Sequence, residues 1–156
     1  LFWARTILSH GTYILILRLP NSQHIQIGKL GLFALGAGYY AYVGSAFGSG
    51  GLAGRLRHHQ KVAPRPHWHI DYLRQAANLD AVWMQESGTR REHEWAGILE
   101  RMPGVSIPIA RFGSSDCRCP AHLFYFGEGL PSLEKFQRET ARHFPKDAAI
   151  TLFTTG

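Results

Sequence analysis

Cysteine is scarce in this sequence: of 156 residues only Cys117 and Cys119 carry a thiol, and one residue separates them. That spacing excludes a disulfide framework and fits a reducing, cytoplasmic setting. Acidic residues are also few, 11 Asp and Glu against 17 Lys and Arg, which leaves a formal net charge of +6. The balance favours a polyanionic partner, although solubility alone would account for it too. The opening LFWARTILSHG holds one Arg and no sustained apolar run before Gly11, so no secretory signal is expected. Between Leu30 and Gly54 charge is absent over a length that could span a membrane. Eight glycines together with Tyr39, Tyr40 and Tyr42 break that stretch into strands and turns, so no membrane partner is expected.

What is present is 45% hydrophobic residues, enough for one folded domain over 1–156 with one core. Residues 11–19 (GTYILILRL) are apolar on both alternating faces, as in a central strand covered on both sides. Two short strands joined at Gly28-Lys29 are expected over 24–35, and a further strand at 39–44. Helices are expected at about 51–62, 67–77, 90–102 and 132–143. Strands are expected at about 80–86, 107–112 and 121–126. The result is an α+β fold: a small antiparallel sheet with an extra hairpin, flanked by helices.

The most specific segment is YVGSA followed by GLAGRLRHH. A strand ends in Tyr42-Val43-Gly44, a Gly-rich turn follows, and the next helix carries Arg55 and His59 four residues apart on one face. A fixed cation and a titratable imidazole thus stand beside a strand end that bears a phenol. Phosphodiester cleavage needs a group to activate water, one to hold phosphate charge, and a metal. In the third expected helix Trp95, Ile98, Leu99 and Met102 mark an inward face, and Glu92, three residues before Trp95, shares it. A carboxylate there is costly unless paired or bound to metal. Glu94 falls away from that stripe.

These residues resemble the GIY-YIG nuclease superfamily. Gly11-Thr12-Tyr13 is similar to its GIY element and Tyr42-Val43-Gly44 to its YIG element. The blocks GYYAYVGSA, HWHIDYL (67–73) and FGSSDCRCPAHLFYF (112–126) resemble an uncharacterised prokaryotic branch, sometimes attached to archaeal endonuclease III. The resemblance covers about 11–127 and leaves a helix and tail at 130–156. It implies a divalent-metal-dependent endonuclease acting on DNA, in repair or in processing structured DNA. Its implied roles are water activation by Tyr13 or His59, phosphate stabilisation by Arg55, positioning by Tyr42, and one Mg²⁺ (or Mn²⁺) on Glu92. The Tyr13-to-Tyr42 spacing is longer than the family's usual hairpin, and the extra hairpin at 24–35 is expected to absorb it. The family's late Asn has no clear counterpart; Ser114, Ser115 and Asp116 are candidates.

Five basic residues (Arg55, Arg57, Lys61, Arg65, Arg74) lie between 55 and 74 against one acid, Asp71. With His58, His67, His69 and Trp68 among them, they form an expected nucleic-acid surface that tracks phosphates, with RNA as an alternative to DNA. His67 is expected either near the site or capping the second helix, and Asp71 either orients a histidine or caps. Cys117, Cys119 and His122 have a C-x-C-x-x-H spacing that suits zinc, with a fourth ligand from His67, His69 or His93; the alternative is a reduced structural pair. Two further readings stand beside the nuclease: a binding module on the same scaffold that does not cut, and a zinc-stabilised interaction domain.

Overall fold

The computed structural model describes residues 10–155; the expectation drawn from LFWARTILSHG therefore falls largely outside the described residues. Seven strands and four α-helices follow one another among them: β1 (Gly11–Leu19), β2 (Gln23–Ile27), β3 (Gly31–Leu35), β4 (Gly38–Ala46), α1 (Gly51–Gln60), α2 (His69–Arg74), β5 (Asn78–Glu86), α3 (Glu92–Glu100), β6 (Leu123–Gly127), α4 (Leu133–His143) and β7 (Thr151–Thr154). A single 3₁₀ turn, Gly28–Leu30, joins β2 to β3. The fold is α+β, with a five-stranded antiparallel sheet in the order β6-β4-β1-β5-β7 and β2-β3 as a separate two-stranded hairpin. No described helix is long and apolar enough to cross a membrane.

β1 occupies the centre because both of its faces are apolar. Tyr13, Leu15, Leu17 and Leu19 enter the cluster that also holds Leu52 and Leu56 of α1, Ile70 and Leu73 of α2, and Ile25, Ile27 and Leu35 of the hairpin. Ile14 and Ile16 enter the opposite cluster, with Trp95, Ile98 and Leu99 of α3 and Phe136 of α4. Each such buried aliphatic side chain contributes roughly 1.5–3 kcal/mol. The layers are therefore α1, α2 and hairpin on one side, sheet in the middle, and α3 with α4 on the other.

The long excursion from Tyr13 to Tyr42 leaves β1 and β4 adjacent, with Tyr13 opposite Gly44 and Leu15 opposite Tyr42. The hairpin stays outside the five-stranded sheet and packs on α2: Gly28, at a φ of 48°, abuts the Tyr72 ring.

Three local expectations need correction. Residues 107–112 form turns rather than a strand, and only Ser106 bridges to Tyr125. Pro108 lacks the N–H that a ladder requires, and Arg111 has a positive φ of 67°. The second helix is confined to His69–Arg74, since Asp71 draws the chain into the helix only after Trp68 and Arg74 binds the carbonyl of Ala77. Finally, β7 was not expected; it pairs with the sheet edge at β5, Ala81 opposite Thr154 through Met84 opposite Thr151.

Candidate functional site

Two glycines let the site assemble at the end of the sheet. A Cβ on Gly44 would lie 2.5 Å from both Cζ and the hydroxyl of Tyr13, so the tyrosine ring crosses its neighbouring strand only because that position is bare. A Cβ on Gly11 would fall 2.7 Å from Leu52 and closer still to the Gln85 carbonyl, so α1 and β5 both approach the start of β1 through this glycine. Glycine is needed for close approach at both positions.

Tyr13 is 1% exposed, and its hydroxyl lies 2.8 Å from Nε2 of His59, which is 2% exposed. Burial raises the Tyr13 phenol well above its ordinary range, against the opposing pull of the Arg55 cation. Burial, reinforced by neighbouring His58, pushes His59 down to about 3, so its ring is neutral near pH 7. Tyr13 donates to Nε2 in the tautomer of the neutral ring whose proton sits on Nδ1. That Nδ1 has no partner among the described residues.

Above this pair lies an open cleft of about 400 Å³. Tyr42, Arg55, His59 and Glu92 all line it, joined by Ser45, Trp68, Arg90, Gly113 and Asp116. Four of the five residues expected to carry the chemistry thus meet in one cleft, with Tyr13 in contact with His59 beneath its floor. The Arg55 guanidinium stands 4.5 Å over the Trp68 ring, and that of Arg90 4.5 Å over Phe47. Such stacking holds a cation without consuming its donors.

Glu92 begins α3 and is half-buried. Its Oε1 accepts from Ser45 Oγ at 3.1 Å, and its Oε2 lies 3.1 Å from His122 Nδ1. Burial acts to raise its carboxyl, but His122 and Ser45 outweigh that and hold it below its usual range. α3 is fastened to β1 by Thr12, whose hydroxyl accepts from the Arg91 N–H at 3.3 Å, and Arg91 pairs with Asp147 at 2.8 Å. Glu94 is exposed, 3.7 Å from Arg91.

The basic stretch divides. Arg57, Lys61 and Arg65 are exposed, as is His67, which packs edge-on to Trp68. His58 is half-buried and lies 2.8 Å from Asp71. Asp71 performs both tasks considered for it: Oδ1 meets His58, while Oδ2 accepts from the N–H groups of His67 and Trp68. Burial alone would raise its carboxyl; those backbone bonds and His58 bring it below its usual range. The expected cap therefore comes from Asp71 rather than from His67. His69 uses Nδ1 to accept from the Gly113 N–H at 2.9 Å and so ties the loop to α2. Arg74 donates to the carbonyls of His59, Gln60 and Ala77, closing the end of α1. Three of its five N–H donors are committed there, so its first role is structural.

Cys117 and Cys119 are free thiols. Burial and neighbouring Cys117 push the Cys119 thiol up to about 11. Together with His93 and His122 they form a group whose four donor atoms all lie within 4.8 Å of one another. His67 and His69 stand outside this group.

A family model described as "Domain of unknown function DUF123" matches residues 12–144. The chain belongs to the DUF123 family. No curated protein and no solved structure matches it. In this DUF123 chain the matched span holds every residue of the cleft.

Ser45 and Arg90 line the cleft without having been expected there, whereas Trp68 was expected only in the nucleic-acid surface. Ser45 carried a signal: it alternates with Gly44 along β4 and so faces the α3 side, where Glu92 begins. Arg90 had none, being an exposed residue in the turn before α3.

Proposed function

We propose that this DUF123 domain is a divalent-metal-dependent endonuclease that hydrolyses phosphodiester bonds in DNA, built on a GIY-YIG-like scaffold. The observation that carries the reading is the convergence of Tyr42, Arg55, His59 and Glu92 on one cleft, over the Tyr13–His59 hydrogen bond. An enclosed apolar pocket would suit a small metabolite; this cleft is open and polar, with two stacked arginines at its walls.

Among the described residues, Glu92 and Asp116 are the carboxylates lining the cleft. Such sparse, hard oxygen donors fit Mg²⁺ or Mn²⁺, which keep several waters and take further ligands from substrate phosphate. Bound by Glu92, the ion supplies Lewis-acid polarisation of a phosphate oxygen. Arg55 holds the negative charge that grows on phosphorus as water attacks, and Tyr42, at the cleft surface, orients the phosphate. The water's proton is taken up by the Tyr13–His59 pair, of which His59 lines the cleft. The anionic phosphate supports that transfer by raising the proton affinity of His59. The P–O bond to the leaving strand breaks, and the leaving oxygen takes a proton from solvent in the open cleft, giving a phosphate and a hydroxyl end. Arg57, Lys61 and Arg65 extend positive charge along α1 and the loop after it, which suits a nucleic-acid backbone rather than a base sequence.

The test is incubation of the protein with supercoiled plasmid and with forked and mismatched duplexes in Mg²⁺ or Mn²⁺. Metal-dependent nicking that Glu92→Gln abolishes supports the proposal. DNA binding with no cutting under either metal would replace it with a non-catalytic binding module.

A further inference from the structure

The motif Cys117-Arg118-Cys119-Pro120-Ala121-His122 stands outside the hydrolytic chemistry proposed above, yet the fold places it with care. Residues 106–122 leave α3, cross the end of the sheet and return to begin β6. Backbone bonds shape this segment: Arg111 N–H to the Pro120 carbonyl at 2.7 Å, His122 N–H to Phe112 at 2.8 Å, and Cys117 N–H to Ser114 at 3.2 Å. The Arg111 side chain adds a bond to the Cys119 carbonyl at 2.9 Å. Both thiols are thereby turned toward His122, which the Val43 N–H holds against β4 through its carbonyl at 2.9 Å. From a different element, the second residue of α3, His93 brings its imidazole to the same point, its ring centroid 6.0 Å from that of His122.

Two sulfurs and two ring nitrogens meet there, all within 4.8 Å of one another. A tetrahedral zinc site with bonds of roughly 2.0–2.3 Å has ligand–ligand edges of roughly 3.3–3.8 Å. The Cys117 Sγ to His122 Nε2 separation of 3.4 Å is already such an edge. The ligand count is four and the donors are soft sulfur and imidazole, the set that selects zinc over magnesium or calcium.

We infer that His93, Cys117, Cys119 and His122 bind one zinc ion as a closed Cys₂His₂ site that fastens residues 106–122 to α3. The same ion acts on Glu92 through His122. With Nε2 on zinc, the ring proton sits on Nδ1, 3.1 Å from Glu92 Oε2. A metal-bound histidine that gives its second nitrogen to a carboxylate is the common outer arrangement of zinc sites. Zinc therefore fixes one oxygen of Glu92, while Ser45 holds the other at the cleft. Gly113 and Asp116, which also line that cleft, belong to the fastened segment. The zinc site does not rest on the nuclease reading; it stands whatever reaction the cleft performs.

The full chain, purified without chelator, is to be assayed for metal by mass spectrometry and titrated with Co²⁺ after zinc removal. The expected result is one zinc per chain and, with cobalt, the intense visible bands of a tetrahedral thiolate site. The double variant Cys117→Ser/Cys119→Ser abolishes both. Should that variant fail to fold, His93→Gln decides: His93 is exposed, so its loss is harmless to a metal-free fold but here lowers zinc affinity and thermal stability together. Glu92→Gln keeps the zinc with affinity reduced by roughly 10–100-fold. Wild-type protein with no bound zinc and no cobalt–thiolate bands would overturn the inference, and so would iron in place of zinc. Nuclease failure with stoichiometric zinc would overturn only the proposed function.

Discussion

The hydroxyl of Tyr13 lies 2.8 Å from Nε2 of His59, a bond between the first strand of the sheet and the last turn of α1. Tyr13→Phe removes this bond and leaves the buried Nε2 without a partner. The expected loss is about 1–3 kcal/mol in stability and on the order of 10²–10⁴ in the nicking rate. Urea unfolding and single-turnover cleavage measure the two effects separately.

Gly44→Ala tests the same bond from the other strand. The added methyl meets the Tyr13 ring and hydroxyl at 2.5 Å, well inside van der Waals contact. The ring must move off His59, so activity falls as in Tyr13→Phe, with about 1–3 kcal/mol of destabilisation from overpacking. Wild-type activity and melting temperature in Gly44→Ala would contradict the described approach.

Protonation of His59 opposes folding. Its folded value of about 3 lies below the ordinary 6.5, so between those two values the unfolded chain binds more protons than the folded one. Stability is thus fully present above about 6.5 and is lost as pH falls toward 3, with a slope of at most ~1.4 kcal/mol per pH unit for this one group. The half-buried His69, also lowered by burial, adds to the loss in the same direction. Melting temperatures at pH 7 and pH 5 give the readout: His59→Gln narrows the gap between them, and an unchanged gap would contradict the buried neutral ring.

The sequence was most informative where chemistry and periodicity coincide. Arg55 and His59 at helical spacing, and Glu92 ahead of the Trp95 stripe, were readable one by one, and the structure brings all three to one cleft. The β1–β4 pairing was readable because both strands are uninterrupted runs. What could not be read was commitment of donors. Arg74 and Arg57 are alike in sequence, both helix arginines in a basic stretch, yet one is spent on three carbonyls and the other faces solvent. The strand β7 was invisible for another reason: TLFT is four residues with one buried side chain, and its pairing depends wholly on the exposed edge of β5.

That difference predicts opposite outcomes for two arginines. Arg74→Ala frees two carbonyls at the end of α1 and that of Ala77 after α2, and lowers the melting temperature, with a loss of about 1–3 kcal/mol. DNA affinity per folded molecule stays the same. Arg55→Ala loses the stack on Trp68 and its side-chain bond to Tyr13, and its main effect is on cleavage, which falls by on the order of 10²–10³. Circular dichroism melts and cleavage assays on matched samples distinguish the pair.

Salt dependence locates the binding surface. If Arg57, Lys61 and Arg65 each neutralise one phosphate of a duplex, each contributes roughly 0.9 to the negative slope of log affinity against log salt. Replacing any one with Ala flattens the slope by about that amount, and replacing all three removes about three times as much. These side chains are exposed and none has a bond that the fold requires, so the variants fold as the parent does. Their loss weakens binding to all sequences alike, since backbone contacts carry no base information. Fluorescence anisotropy over a salt series on two unrelated duplexes reads both quantities at once. A slope unaltered in the triple variant would move the DNA to another face. The groove between α3 and α4, where Arg101, Lys135, Arg138 and Arg142 gather, is the next place to look. There Arg138 and Arg142 are already paired with Glu134 and Glu139, so the same salt series on Arg101→Ala and Lys135→Ala would show the flattening instead.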